Sequence, residues 1–147
     1  MGESLSWEER VESLKAGLIA GSLAAIAEAS FQTFQVFVWP KAGLPDLPSF
    51  LMLPAFWEDL TIAGFSGFLF GVTCRYAIRQ DQNPHLSSGV VLAFGLVRGL
   101  AQIRLEEVGV QDASLVLFAI VESVALFAIA YLGLSISLER GWVRYCP

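Results

Sequence analysis

The sequence is poor in the residue types that most catalytic and metal sites require. Its 147 residues include one histidine and two cysteines, and Cys74 and Cys146 lie far apart in the chain. That separation matches no zinc-site spacing and suggests no disulfide. His85 lies in the polar, turn-forming run DQNPHL, where we expect a surface histidine. Nucleophile-elbow, zinc-protease, phosphate-loop and dinucleotide-binding patterns are missing, so we expect neither an enzyme nor a metal site.

Charged residues are also scarce. They make up 16% of the chain, whereas a soluble domain typically has about a quarter. The hydrophobic residues, 55% of the total, come in long blocks instead of alternating with polar ones. These features predict an integral membrane protein whose first partner is the lipid bilayer. The net charge is −5 and no basic patch is present, so a nucleic-acid partner is not expected.

Four apolar segments are long enough, or nearly so, to cross the roughly 30 Å hydrocarbon layer as helices. They cover residues 16–38, 60–78, 87–103 and 113–138. We predict an all-α fold, a polytopic four-helix membrane bundle spanning residues 16–138. A polar segment, 1–15, precedes this domain, and a short cytoplasmic tail, 139–147, follows it.

The positions of lysine and arginine predict the orientation, because the cytoplasmic flanks of membrane helices are enriched in both. Two basic residues, Lys41 and Arg104, flank the spans on one side. Six lie on the side that also holds the termini: Arg10, Lys15, Arg75, Arg79, Arg140 and Arg144. We therefore expect both termini in the cytoplasm, or in the stroma of a plastid-type membrane.

The connection 39–59 is long and contains four prolines, yet it remains apolar. Proline disfavours a regular helix, and the Leu, Phe and Trp side chains suit the membrane interface. We expect this segment to lie along the outer face of the membrane. The predicted interface anchors on the two sides are Trp39, Trp57, Arg75, Tyr76 and Arg79.

Glycines recur at four-residue spacing in three of the spans. Such pairs let membrane helices approach closely, and we predict helix packing at Gly17 and Gly21, Gly67 and Gly71, and Gly95 and Gly99. Glu28, Gln32 and Gln35 share one face with the first pair, and Arg98 shares a face with the last. These polar residues should therefore point into the bundle.

Three charged residues, Glu28, Arg98 and Glu122, lie deep inside the apolar spans. A charge at the bilayer centre costs at least about 2.5–3.5 kcal/mol. Counting ~1.5 Å per residue from the middle of each span puts all three within about 5 Å of one level. We predict one buried Glu–Arg–Glu cluster, with supporting polar contacts from Gln32, Gln102 and Ser123.

The preferred role of this cluster is structural, because the charges fix the helix register and removal of one would strand the others. With all three groups ionised the cluster is net negative. Proton or ion coupling through Glu28 or Glu122 is therefore an open alternative. Ligand binding is a third, and chlorophyll, carotenoid, quinone and lipid all stay open as ligands.

Two resemblances bear on these alternatives. Four spans with Glu28 in the first resemble the small multidrug-resistance transporters, which implies a dimeric, proton-coupled carrier. The long prolyl connection and Arg98 depart from that family's pattern.

The runs FGVTCRYAIRQDQNPHL, VLAFGLVRGLAQ and ERGW resemble an uncharacterised family of small membrane proteins of cyanobacteria and chloroplasts. That resemblance covers roughly residues 15–145 and implies a thylakoid or plasma membrane and a photosynthetic complex, without any catalytic residue.

The function that we expect is non-enzymatic. The chain would be an accessory subunit or assembly factor that docks onto a larger membrane complex, and it could also form a homo-oligomer. The alternative is a small proton- or ion-coupled carrier that uses Glu28 or Glu122.

Overall fold

The fold consists of four helices in the part of the chain that the computed structural model describes, residues 7–38, 51–77, 84–102 and 113–144. They are α1 (Trp7–Val38), α2 (Pro54–Ala77), α3 (Pro84–Ala101) and α4 (Ala113–Glu139). The predicted all-α class is confirmed.

Three of the helices are long and apolar enough to cross a membrane. The candidate spans are Trp7–Gln35, Pro54–Ala77 and Val116–Glu139. In α3 the apolar stretch, His85–Ala101, is shorter. This is the segment that is also the shortest of the four in the sequence.

Three helices begin earlier than the apolar segments suggest, and α3 does so by three residues, at Pro84. The polar residues after Trp7 continue directly into α1, and Glu8 and Glu9 in its first turn suit the positive end of the helix dipole. Helix α2 begins at Pro54, so residues 54–59 are helical where the prolines of the connection favour a loop. Proline is well tolerated at the first helical position, because the N–H that it lacks has no partner there. Of the rest of that predicted interfacial segment, residues 51–53 are exposed and residues 39–50 lie outside the described part of the chain.

Small residues bring α1 and α2 into close contact, and this is the most extensive interface of the bundle. A Cβ placed on Gly71 would come within 2.5 Å of the carbonyl oxygen of Ala16, and one on Gly21 within 2.8 Å of that of Gly64. The obstacles are backbone atoms, so no side-chain adjustment could make room. Gly17 differs, since it faces the ring of Phe68.

Helices α3 and α4 form the second close pair. A Cβ on Gly95 would lie 2.8 Å from Cα of Val124, and one on Gly99 would lie 2.6 Å from Cα of Ile120. All six glycines expected at helix contacts thus face a neighbouring helix. The bundle is built from two hairpins, α1–α2 and α3–α4.

Three phenylalanines join the hairpins at the centre of the bundle. Ring centroids of Phe70, Phe94 and Phe127 are 5.0–5.6 Å apart, in tilted or edge-to-face geometry. Such contacts add about 0.5–1.5 kcal/mol per pair beyond the burial of the rings. Four alanines of α1 belong to the same core: Ala16, Ala20, Ala24 and Ala27.

The end of α4 is closed by a Schellman motif. Gly141 has a positive φ of 73°. Its N–H donates to the carbonyl of Leu138 (3.1 Å), and the N–H of Trp142 donates to the carbonyl of Ser137 (3.0 Å). The chain therefore turns back toward the bundle. Val143 is only 1% exposed, so this part of the predicted tail belongs to the core.

Candidate functional site

The centre of the candidate site is an ion pair between α1 and α3. Nη2 of Arg98 donates to Oε2 of Glu28 at 2.8 Å. Glu28 is 4% exposed and Arg98 is 6% exposed, so water screens the pair little. A pair this well buried joins the two hairpins, because each contributes one partner.

Glutamines of α1 extend this ion pair toward the surface. One helical turn after Glu28, the amide of Gln32 donates to Oε1 of Glu28 at 2.9 Å. The same amide nitrogen lies 3.4 Å from Oδ2 of Asp59 on α2, which is exposed. Gln32 thus links the buried carboxylate to an exposed one.

Glu122 does not share Arg98 in the way that the sequence predicts. Its two carboxylate oxygens accept hydrogen bonds from the amide of Gln35, at 3.0 and 3.1 Å. It is half-buried, and Arg98, Glu28 and Asp59 lie within electrostatic range of it. The structure therefore brings the three predicted charges into one region, but only Glu28 is in direct contact with Arg98.

Gln35 is the residue of this region whose role sequence reasoning missed. It shares the face of Glu28 and Gln32, which was the available signal.

Besides Gln32, the predicted supporting residues are Ser123 and Gln102, and they contact each other. The hydroxyl of Ser123 donates to Oε1 of Gln102 at 3.0 Å. Ser123 is buried and Gln102 is exposed.

Glu28, Arg98, Glu122 and the two glutamines bonded to them form a polar region inside the bundle. This polar region opens toward one end of the bundle and is closed toward the other. Asp59 and Gln102 are exposed at the open end, whereas the Phe70, Phe94 and Phe127 rings fill the layer beneath. Phe94 lies one helical turn below Arg98. Within the described part of the chain, Nε of Arg98 is a buried donor without a hydrogen-bond partner.

A second buried arginine, Arg75, lies in the last turn of α2, at the other end of that helix from Asp59. Nε of Arg75 donates to the carbonyl of Arg144 at 3.0 Å, and Nη1 donates to the carbonyl of Glu9 at 3.1 Å and to the hydroxyl of Ser13 at 2.5 Å. Arg75 is 2% exposed. It therefore joins the start of α1, the end of α2 and the segment after α4.

Arg75 differs from the exposed interface anchor that its position near a span end suggests. The predicted anchor beside it, Tyr76, lies at the surface, and its hydroxyl is 3.0 Å from that of Ser13. Trp57, in the first turn of α2, is 55% exposed and donates its indole N–H to the carbonyl of Leu51 at 2.9 Å. Trp39 and Arg79 lie outside the described residues.

What these groups can do chemically follows from their partners. The Glu28 carboxylate is neutralised by an arginine, and Glu122 is bonded to a neutral amide. Among the described residues, no group of three or more His, Cys, Asp and Glu side chains could hold a metal ion. Cys74 is buried in the apolar core as a free thiol.

Comparison with known proteins gives no match to this chain among family models, curated proteins or solved structures.

Proposed function

We propose that this chain is a four-span integral membrane protein with both termini in the cytoplasm. Its role is that of a non-enzymatic accessory subunit or assembly factor of a larger membrane complex. Three helices of membrane-spanning length and the exposed apolar side chains on every helix support the membrane setting. The shorter α3 would cross the bilayer as a member of the bundle, because it packs closely on the long helix α4 at Gly95 and Gly99.

The observation that carries the non-transport role is the buried ion pair between Glu28 and Arg98. Each hairpin contributes one partner, and the 2.8 Å contact neutralises the most deeply buried carboxylate of the site. A carboxylate that is held by an arginine in this way is not free to exchange a proton for a substrate. The Glu28–Arg98 pair therefore has the burial and geometry of a structural contact that fixes the two hairpins to each other.

The cellular setting in this proposal comes from the sequence resemblance. The sequence runs around Arg75 and Arg98 imply a thylakoid or plasma membrane of a cyanobacterium-like cell. They also imply a photosynthetic complex as the partner.

A native-gel experiment tests the proposed role. The tagged chain, extracted in mild detergent, should migrate far above its 16.0 kDa and copurify with the proteins of one large complex. Glu122→Gln should preserve both results, since it leaves the Glu28–Arg98 ion pair intact. Migration as a lone small protein in the organism's own membranes would contradict the proposal.

The carrier alternative keeps one supporting observation. Glu122 is half-buried near the open end and bonded to Gln35 instead of to a cation, so its carboxylate is more accessible than that of Glu28. Reconstituted vesicles with an imposed pH gradient test this alternative. A substrate flux that Glu122→Gln abolishes, with helical content unchanged, would establish a carrier and refute the accessory role.

A further inference from the structure

An open groove of about 440 Å³ runs along the outer surface of the bundle, between α1 and α4, well away from the charged region. Its walls are mainly aliphatic and aromatic. The residues that define it are Leu18, Ser22 and Leu23 on α1, and Gly133, Ser137 and Trp142 on the α4 side.

The groove offers almost no hydrogen-bonding capacity to a ligand. The hydroxyl of Ser22 donates to the carbonyl of Leu18 (2.7 Å) and that of Ser137 to the carbonyl of Gly133 (2.8 Å). Both serines therefore satisfy their own helix and leave an apolar surface in the groove. A polar small molecule would lose its hydration there without replacement, whereas a hydrocarbon chain would not.

The groove covers part of one leaflet. Its deep end is where Leu23 packs on Gly133, at a place where a Cβ would collide with the leucine side chain. Its shallow end is Trp142, which is 63% exposed. The helical rise from Gly133 to Glu139, the last residue of α4, is about 9 Å, which is more than half of one leaflet of the roughly 30 Å hydrocarbon layer.

The shallow end of the groove has a cationic side chain beside it, that of Arg140. The guanidinium carbon of Arg140 lies 5.9 Å from the centroid of the Trp142 ring, and its side chain is exposed. Two acids lie in this part of the molecule. Glu139, next to Arg140 in the chain, is exposed. Glu12 on α1 is already bonded to Lys15 (2.7 Å) and to the backbone N–H of Arg144 (3.0 Å). Tryptophan beside arginine is the pairing that membrane proteins place at headgroup level, where it attracts anionic lipid.

We propose that this groove is a binding site for one phospholipid with an anionic headgroup. One acyl chain lies between α1 and α4 as far as Gly133, and the phosphate group contacts Arg140 beside Trp142. The proposal rests on the membrane setting of the proposed function but not on its accessory role.

Paired serine variants test the acyl-chain part. Ser22→Phe fills the groove, whereas Ser30→Phe places the same ring on the exposed face of α1 two turns away; Ser30 also bonds to its own helix, at the carbonyl of Ile26. Purified protein is loaded from mixed phosphatidylglycerol and phosphatidylcholine vesicles, and retained lipid is counted by native mass spectrometry. Wild type and Ser30→Phe should retain one phosphatidylglycerol, and Ser22→Phe should lose it at least tenfold. Equal retention by the two variants overturns the proposal.

Arg140→Gln tests the headgroup part. It should remove the preference for phosphatidylglycerol over phosphatidylcholine while the groove still retains a lipid. An unchanged preference would refute the assignment of Arg140. If Ser22→Phe instead dissociates an oligomer without changing retained lipid, the groove is a protein interface and the proposal fails. Resistance of wild type to alkaline extraction is measured in parallel, because its absence would refute the membrane setting itself.

Discussion

Arg75 and Arg98, the two arginines that are buried among the described residues, are held in different ways. Arg98 is buried in the polar region, in the half of the bundle where that region opens, and contacts a carboxylate on another helix. Arg75 lies at the opposite end, and its described acceptors are two backbone carbonyls and a hydroxyl. The first therefore depends on charge neutralisation, and the second on a set of fixed dipoles. The same residue type can thus stabilise a helical bundle through one strong partner or through several weaker ones.

Arg98→Leu should produce the largest loss of stability. It leaves the Glu28 carboxylate buried and unpaired, which typically costs about 3–5 kcal/mol when a buried ion pair is broken from one side. The free energy of unfolding, measured by denaturing-detergent titration with circular dichroism, reports the effect.

The control for that variant is the double change Arg98→Leu with Glu28→Gln, which should recover a large part of the loss. Adding Glu122→Gln should recover little more, because Glu122 bonds to Gln35 and not to Arg98. If only the triple variant recovers stability, the three charges act as one cluster after all.

Arg75→Leu should cost less, about 2 kcal/mol, because the groups it abandons are neutral. The carbonyls of Glu9 and Arg144 lose a donor but leave no isolated charge behind. The loss should be concentrated at the chain ends that Arg75 connects. Hydrogen exchange of residues 140–144 should rise more in this variant than in Arg98→Leu, and the reverse order would contradict the proposed difference.

Lysine substitutions should reverse the order of the two stability losses, so that the Arg75 site becomes the more sensitive one. Arg98 uses one nitrogen in its described ion pair, so a lysine ammonium can replace it, at a cost below about 1 kcal/mol. Arg75 reaches its acceptors with two nitrogens at fixed angles, which a single ammonium cannot reproduce. We expect Arg75→Lys to be about 1 kcal/mol more destabilising than Arg98→Lys. Equal losses would mean that charge alone matters at both sites.

The difference between the sites also explains what the sequence could reveal. Arg98 and Glu28 lie in the interior of apolar spans, and counting residues places them at one level. Arg75 lies near the end of a span, where an exposed anchor has the same sequence pattern. Its acceptors are mainly backbone carbonyls from the two ends of the chain, and carbonyls leave no trace in residue identity.

Helix rotation accounts for the remaining differences. Gln32 and Gln35 share a face with Glu28, but only the packed orientation of α1 against α4 decides which glutamine contacts Glu122. The start of α2 was hidden for another reason, since proline breaks a helix interior yet is accepted at its first position.

Gly141→Ala should give the smallest effect, roughly 1 kcal/mol, and it tests the Arg75 site from the other side. Gly141 has a φ of 73°, which an alanine Cβ disfavours, so the turn that carries Arg144 back to Arg75 should loosen. If the two residues act together, the loss in the double variant Gly141→Ala with Arg75→Leu should be smaller than the sum of the single losses. The Gly89→Ala variant is a suitable control for glycine replacement, because a Cβ there meets nothing within 4 Å. Combining Gly141→Ala with Arg98→Leu should give additive losses, and non-additivity in that pair would show that the two ends of the bundle are coupled.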